Sequence, residues 1–267
     1  MADGIAVPLD VRLMNLTATV LYALCGLMLL AAGGWWVLRQ PFLPLGVIRV
    51  DGDVAHNNPI TLRANVAPKL AGNFFTVDLQ RARAAFESVP WVRKAVVRRE
   101  FPNALRATLT EHVPAALWGA EDESRMINTY GEVFEANTDE AGDDLPRLEG
   151  PDDQASQVLG MYRELAPAFD GSGLSLTELR LSTRGGWQAV LDSGATVEIG
   201  RGTPDEVVAR VRRFLLSARH VAAQYGRSIE SIESADLRHA DAYAVRIRGV
   251  TTVSADAPAA AAAARRR

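Results

Sequence analysis

From Leu13 to Leu38 the chain contains no charged residue. Its apolar core, Leu16–Leu38, spans roughly 35 Å as a helix, enough to cross the hydrocarbon of a bilayer. Trp35 and Trp36 stand at its C-terminal end, where interfacial anchors belong, and Arg12 and Arg39 bracket it. A cleaved signal peptide, cut near Ala31–Gly34, is the rival reading. The apolar run is longer than a signal core of about 7–15 residues, and the tryptophans lie beyond that cut, so an uncleaved anchor is favoured. Flanking charge does not orient it. Asp3, Asp10 and Arg12 precede the segment, while Arg39 and Arg49 follow with Asp51 and Asp53 nearby.

The remainder of the 267 residues is long enough for one large domain or two small ones. A formal net charge of −3, with no basic stripe among aromatics, argues against nucleic-acid binding. The single cysteine, Cys25, lies in the apolar segment, so no intramolecular disulfide or cysteine-based zinc site forms.

Past the stiff exit at Pro41 and Pro44, Gly46–Gly52 has the pattern of a strand. Pro59–Leu70 is predicted as a short helix capped by Asn58, and Asp78–Ser88 as a second, its apolar residues Leu79, Ala82 and Phe86 at helical spacing. Val92–Glu100 and the alternating run around Leu105, Ala107 and Leu109 form a hairpin about Phe101–Asn103. The order β-α-α-β-β describes a small α+β unit. Beyond Pro114 the strand candidates are Ala115–Gly119, Met126–Thr129 and Glu132–Ala136. A helix follows over Gln154–Phe169. A meander comes next, over Leu176–Leu181, Trp187–Leu191 and Ala195–Ile199. Thr203 and Glu206 form a capping box for a long helix, Pro204–Tyr225, which Gly226 closes. Ile232–Leu237 and Tyr243–Arg248 are the last strands, and from Thr251 an Ala/Arg-rich tail is expected to be disordered.

Catalytic motifs are missing from the sequence. His56, His112, His220 and His239 are scattered, and there is no nucleophile elbow, phosphate-binding loop or dinucleotide fingerprint. Two features point to a partner instead. Gly200-Arg201-Gly202 either presents Arg201 from a flexible loop or is a plain strand-to-helix turn. In the last strand Tyr243, Val245 and Ile247 alternate with Ala244, Arg246 and Arg248. A chain-terminal strand at a sheet edge either accepts a strand from another protein or uses its arginines against aggregation.

Several stretches together resemble the FtsQ/DivIB family of bacterial cell-division proteins: Phe75–Leu79, Val89–Leu105, Glu111–Pro114 with Trp118, Leu145–Pro151, Leu191–Gly194, Ile199–Gly202 and Ala235–Arg238. The resemblance implies an N-terminal tail (1–15) in the cytoplasm, a transmembrane helix (16–38), a periplasmic POTRA domain (45–114), a β domain (115–250) and a tail (251–267). It implies no enzymatic activity, no cofactor and no metal. The protein would sit in the inner membrane at the septum, linking early and late division proteins. Its main partners would be FtsB and FtsL, with FtsB adding a strand to the last strand of the β domain. The positions implied are Arg238, His239, Ala240, Asp241, Tyr243, Val245 and Ile247, with Arg201 nearby. Some relatives carry tyrosine where this chain has His239, and a tryptophan further along that strand is absent here. Two other functions remain as alternatives, an outer-membrane assembly factor with POTRA units and a membrane-anchored cell-wall enzyme. The first needs more barrel strands than about 130 residues provide. The second needs a paired carboxylate or metal set that does not stand out.

Overall fold

The computed structural model describes residues 9–39, 45–70, 72–142, 144–239 and 242–250. It opens with helix α1, Leu9–Arg39, of which Asp10–Val37 has the length and apolarity of a membrane span. Its large apolar side chains, Leu13 through Val37, are largely exposed. In water that surface is prohibitive, and in hydrocarbon it costs nothing.

The rest of the chain forms two compact units that part between Glu111 and His112. In the first, β1 (Val47–Gly52), α2 (Pro59–Val66), α3 (Leu79–Glu87), β2 (Val92–Glu100) and β3 (Ala104–Glu111) follow in order. The sheet runs β1-β3-β2, with β1 parallel and β2 antiparallel to β3. The helix expected over Pro59–Leu70 stops being α-helical at Val66 and ends in a 3-10 turn over Ala67–Lys69. Pro68 explains the change, because it has no N–H to continue the α-helical ladder. Asp78 caps α3 by accepting the N–H groups of Gln80 and Arg81 at 2.9 and 3.2 Å. Leu62, Val66, Phe86, Leu105, Ala107 and Leu109 are buried on the helix-facing side of this sheet. Each large one contributes roughly 1.5–3 kcal/mol by leaving water.

The second unit is built on a nine-stranded sheet. Its strands are β4 (Pro114–Trp118), β5 (Arg125–Asn128), β6 (Val133–Glu135), β7 (Arg147–Glu149), β8 (Leu176–Leu181), β9 (Trp187–Leu191), β10 (Thr196–Gly200), β11 (Ile232–Asp236) and β12 (Ala244–Ile247). Two helices interrupt them, α4 (Ala155–Asp170) and α5 (Pro204–Gln224). The spatial order is β12-β11-β10-β9-β8-β7-β4-β5-β6. Helix α5 is the crossover between parallel neighbours β10 and β11. Its capping box is made as the sequence predicts. The Thr203 N–H donates to Glu206 at 2.9 Å, and the Glu206 N–H donates to Thr203 Oγ1 at 3.4 Å. Strand β7 was not among the expected strands. It pairs in parallel with both β4 and β8, so its place depends on neighbours distant in sequence. Trp118, Leu148, Leu165, Phe169 and Phe214 are fully or almost fully buried between sheet and helices. The Trp118 indole N–H is satisfied by Asp152 at 2.8 Å, and that carboxylate also accepts from Arg125 at 3.0 Å.

Candidate partner-binding site

Strand β12 lies at one end of the nine-stranded sheet, and β11 is its only strand neighbour among the described residues. The direction of its backbone groups follows from the bonds of β11. Within a strand the N–H and C=O of one residue point to the same side, and the side alternates along the chain. The Leu237 N–H donates to the Glu198 carbonyl of β10 at 2.8 Å. Odd-numbered backbone groups of β11 therefore face β10, and Ser234 and Asp236 face β12. Those two stand opposite Arg246 and Ala244. The Arg248 N–H, bonded to the Ser231 carbonyl at 2.8 Å, is in phase with them. By this alternation the N–H and C=O of Val245 point away from the sheet, an open donor and acceptor at its edge.

The side chains of β12 divide between the two faces. Tyr243, Val245 and Ile247 pack toward the core. The Tyr243 hydroxyl donates to Ser217 Oγ of α5 at 2.6 Å, and its ring meets Phe214 edge-to-face at 5.5 Å. These two contacts fasten the start of the strand to α5. Ile247 is only 7% exposed, so its side chain belongs to the core, and its carbonyl accepts the Val250 N–H at 3.2 Å. Beyond the strand edge, Val221 of α5 and Tyr225, which caps that helix, line a groove with Tyr243, Val245 and Ile247. On the opposite face Arg246 and Arg248 share Glu233 at 3.2 and 3.7 Å, exposed pairs of little consequence for stability.

Arg201 and Arg238 come together, although 36 residues separate them in the sequence. They line one hollow with Arg180 and Arg184. Gly200 makes this possible. It has φ +86°, and a Cβ there would sit 3.0 Å from Arg238 Cγ. Arg210 of α5 holds the loop by donating to the carbonyls of Ile199 and Arg201 at 2.7 and 3.0 Å. The Arg201 side chain is exposed and has no acidic partner among the described residues. Arg238 is fixed by Asp236, to which its Nε donates at 2.9 Å and its own backbone N–H at 3.0 Å. The guanidinium bonds, assisted by the backbone N–H, lower the Asp236 carboxyl from 3.8 to about 2. A folded-state value below the unfolded one means the stabilisation is complete above 3.8 and is lost as pH falls through about 2. A carboxyl NMR titration is expected to place Asp236 near the lower figure, and a midpoint at 3.8 or above contradicts the assigned contacts.

His239 and Tyr243 face a second hollow, with Arg210, Arg213 and Ser217. Ala240 and Asp241 lie outside the described residues. Arg180, Arg184, Arg210, Ser217, Val221 and Tyr225 join the site without having been singled out in the sequence. Each looks like an ordinary surface or helix residue until the sheet order is known. Among the described residues no three His, Cys, Asp or Glu side chains converge as a metal set.

One apolar spanning helix, a β-α-α-β-β unit and a β-rich unit with an open edge define a single-span membrane protein carrying a POTRA domain. Comparison with known families gives two matches in series. Residues 43–112 match the FtsQ-type POTRA domain, and residues 116–238 match the C-terminal domain of cell division protein FtsQ/DivIB. Among curated proteins, cell division protein FtsQ of Burkholderia pseudomallei is 42% identical over 242 residues, covering 90% of this chain and 94% of that protein. The FtsQ of Bordetella pertussis is 38% identical, covering 89% and 92% of the two chains. That of Thiomonas arsenitoxydans is 36% identical, covering 91% and 90%. The chain belongs to the FtsQ/DivIB family of cell-division proteins.

Proposed function

We propose that this protein is a non-enzymatic scaffold of the division machinery, and that it captures FtsB, paired with FtsL, by adding a strand to β12. In this reading α1 crosses the inner membrane with its N-terminus in the cytoplasm. Both folded units then lie in the periplasm at the septum, where the protein links early and late division proteins. Anchoring confines scaffold and partners to one surface and raises their effective concentration. The observation that carries the reading is the open edge of β12, with the Val245 N–H and C=O directed outward beside the groove at Val221 and Tyr225. Backbone pairing supplies affinity, and side chains on the flanking surfaces select the partner.

Arg201 and Arg238 supply the charge selection in this proposal, one with no acidic partner among the described residues and one fixed by Asp236. Arg201→Glu is expected to weaken the FtsB complex on the order of tenfold or more, by placing like charges together. Unchanged affinity at low salt would return Arg201 to a plain turn residue. The wider role is tested by depleting the protein in its host under light microscopy. Long filaments with segregated nucleoids and no septa are expected. Normal division accompanied by envelope defects contradicts the scaffold reading.

A further inference from the structure

Helix α5 has two flanks, and the site above uses one of them. At about 100° per residue, Arg210 and Ser217 share the flank toward β12, while Arg212 and Arg219 lie about 160° around the helix from them. From Val207 to Ile229 the chain carries five arginines and no acidic residue, in a protein whose formal net charge is −3. Arg212 and Arg219 are exposed, and neither has an ion pair with a carboxylate among the described residues. Among the described residues Arg219 reaches the Gly171 carbonyl alone, at 3.3 Å. Between them stands Leu216, 76% exposed although its neighbour Leu215 is buried.

These residues form one wall of a groove. Its other wall is the end of α4 and the turn after it, Ala168, Gly171 and Ser172, and Leu215 lies at the bottom. Small residues on one side, Leu215 below and cations on the other side make a slot for a helix. Arg212 and Arg219 are about 10 Å apart along the α5 axis, two helical turns, and within about 20° of one line.

We propose that this groove docks an amphipathic helix of a second protein, seating an apolar side chain beside Leu216 and carboxylates about seven residues apart against Arg212 and Arg219. Charge complementarity selects an acidic partner. The concave shape selects a helix over an anionic bilayer, because a flat surface does not reach Leu215, and a single exposed leucine gives little insertion. The surface is separate from the β12 edge, so one scaffold molecule holds two partners at once on opposite flanks of α5.

The test uses the full-length protein in dividing cells, with a photo-reactive amino acid in place of Leu216 and the cross-linked peptide mapped by mass spectrometry. The expected product is an adduct to a protein segment with acidic residues seven apart. Its yield is expected to fall at least tenfold when Arg212→Glu and Arg219→Glu are added. Binding of FtsB–FtsL by the same variant is expected to persist, which separates this surface from the strand-addition reading. Adducts to lipid alone, no protein adduct, or a yield indifferent to charge reversal overturns the proposal. Arg219→Gln, an exposed change outside the core, decides the matter if the double reversal fails to fold. Its cross-linking is expected to fall severalfold, and an unchanged yield overturns the proposal.

Discussion

Val245→Pro is expected to abolish FtsB binding, a loss of at least a hundredfold in affinity, while the second unit stays folded. The reason lies in which side of the strand the proline changes. The register of β11 with β12 sets Ser234 and Asp236 opposite Arg246 and Ala244, leaving the Val245 N–H on the open side. Proline there removes a donor the isolated protein does not use and places its ring where an incoming strand has to pair. Arg246→Pro is the matched control. It removes a donor facing β11, so it loosens β12 itself and is expected to lower stability as well as binding. Circular dichroism and affinity measured on both variants separate the two effects. Undiminished affinity in a folded Val245→Pro protein rules out strand addition at this edge.

The second large effect is on stability. Phe214 is 2% exposed, packs in the core of the second unit and meets the Tyr243 ring edge-to-face. Phe214→Ala is expected to cost about 3–5 kcal/mol, combining lost burial with the cavity left behind. For a unit of this size the thermal midpoint falls on the order of 10 °C. Tyr243 also loses its aromatic neighbour, so of the two contacts with α5 described above the hydroxyl bond to Ser217 remains. Partner affinity should therefore fall along with stability. A midpoint within a degree or two of the parent indicates that α5 does not clamp the edge strand in this way.

Much of the local structure was legible because it is set by local chemistry. The spanning helix follows from an uncharged run, and α5 from Thr203, Pro204 and Glu206 at its start. Gly226 closes α5 with φ +64°, as a left-handed cap should. The meander β8-β9-β10 follows from alternating residues between turn-forming glycines. Strand β7 escaped because three residues with Leu148 alone buried carry no period. What identifies it is parallel pairing to β4 and β8, a property of the whole sheet. The edge position of β12 is a property of the sheet order, in which β12 stands at one end beside β11.

The candidate site divides along the same line. Tyr243, Val245 and Ile247 alternate visibly in sequence, but which backbone groups face outward depends on the bonds of β11. Arg201 and Arg238 are unremarkable singly, and their convergence needs the β10–β11 pairing and a glycine at position 200. Arg210 gave no signal, since one arginine on a basic helix resembles any other until its guanidinium is seen on two loop carbonyls.

The most direct test of strand addition is residue-resolved amide hydrogen exchange of the full-length protein in detergent, with and without saturating FtsB–FtsL. The Val245 amide is predicted to exchange fast in the free protein and to become strongly protected in the complex. The Ala244 and Arg246 amides, already turned to β11, should change little. A Val245 amide that still exchanges fast in the saturated complex would contradict strand addition at β12.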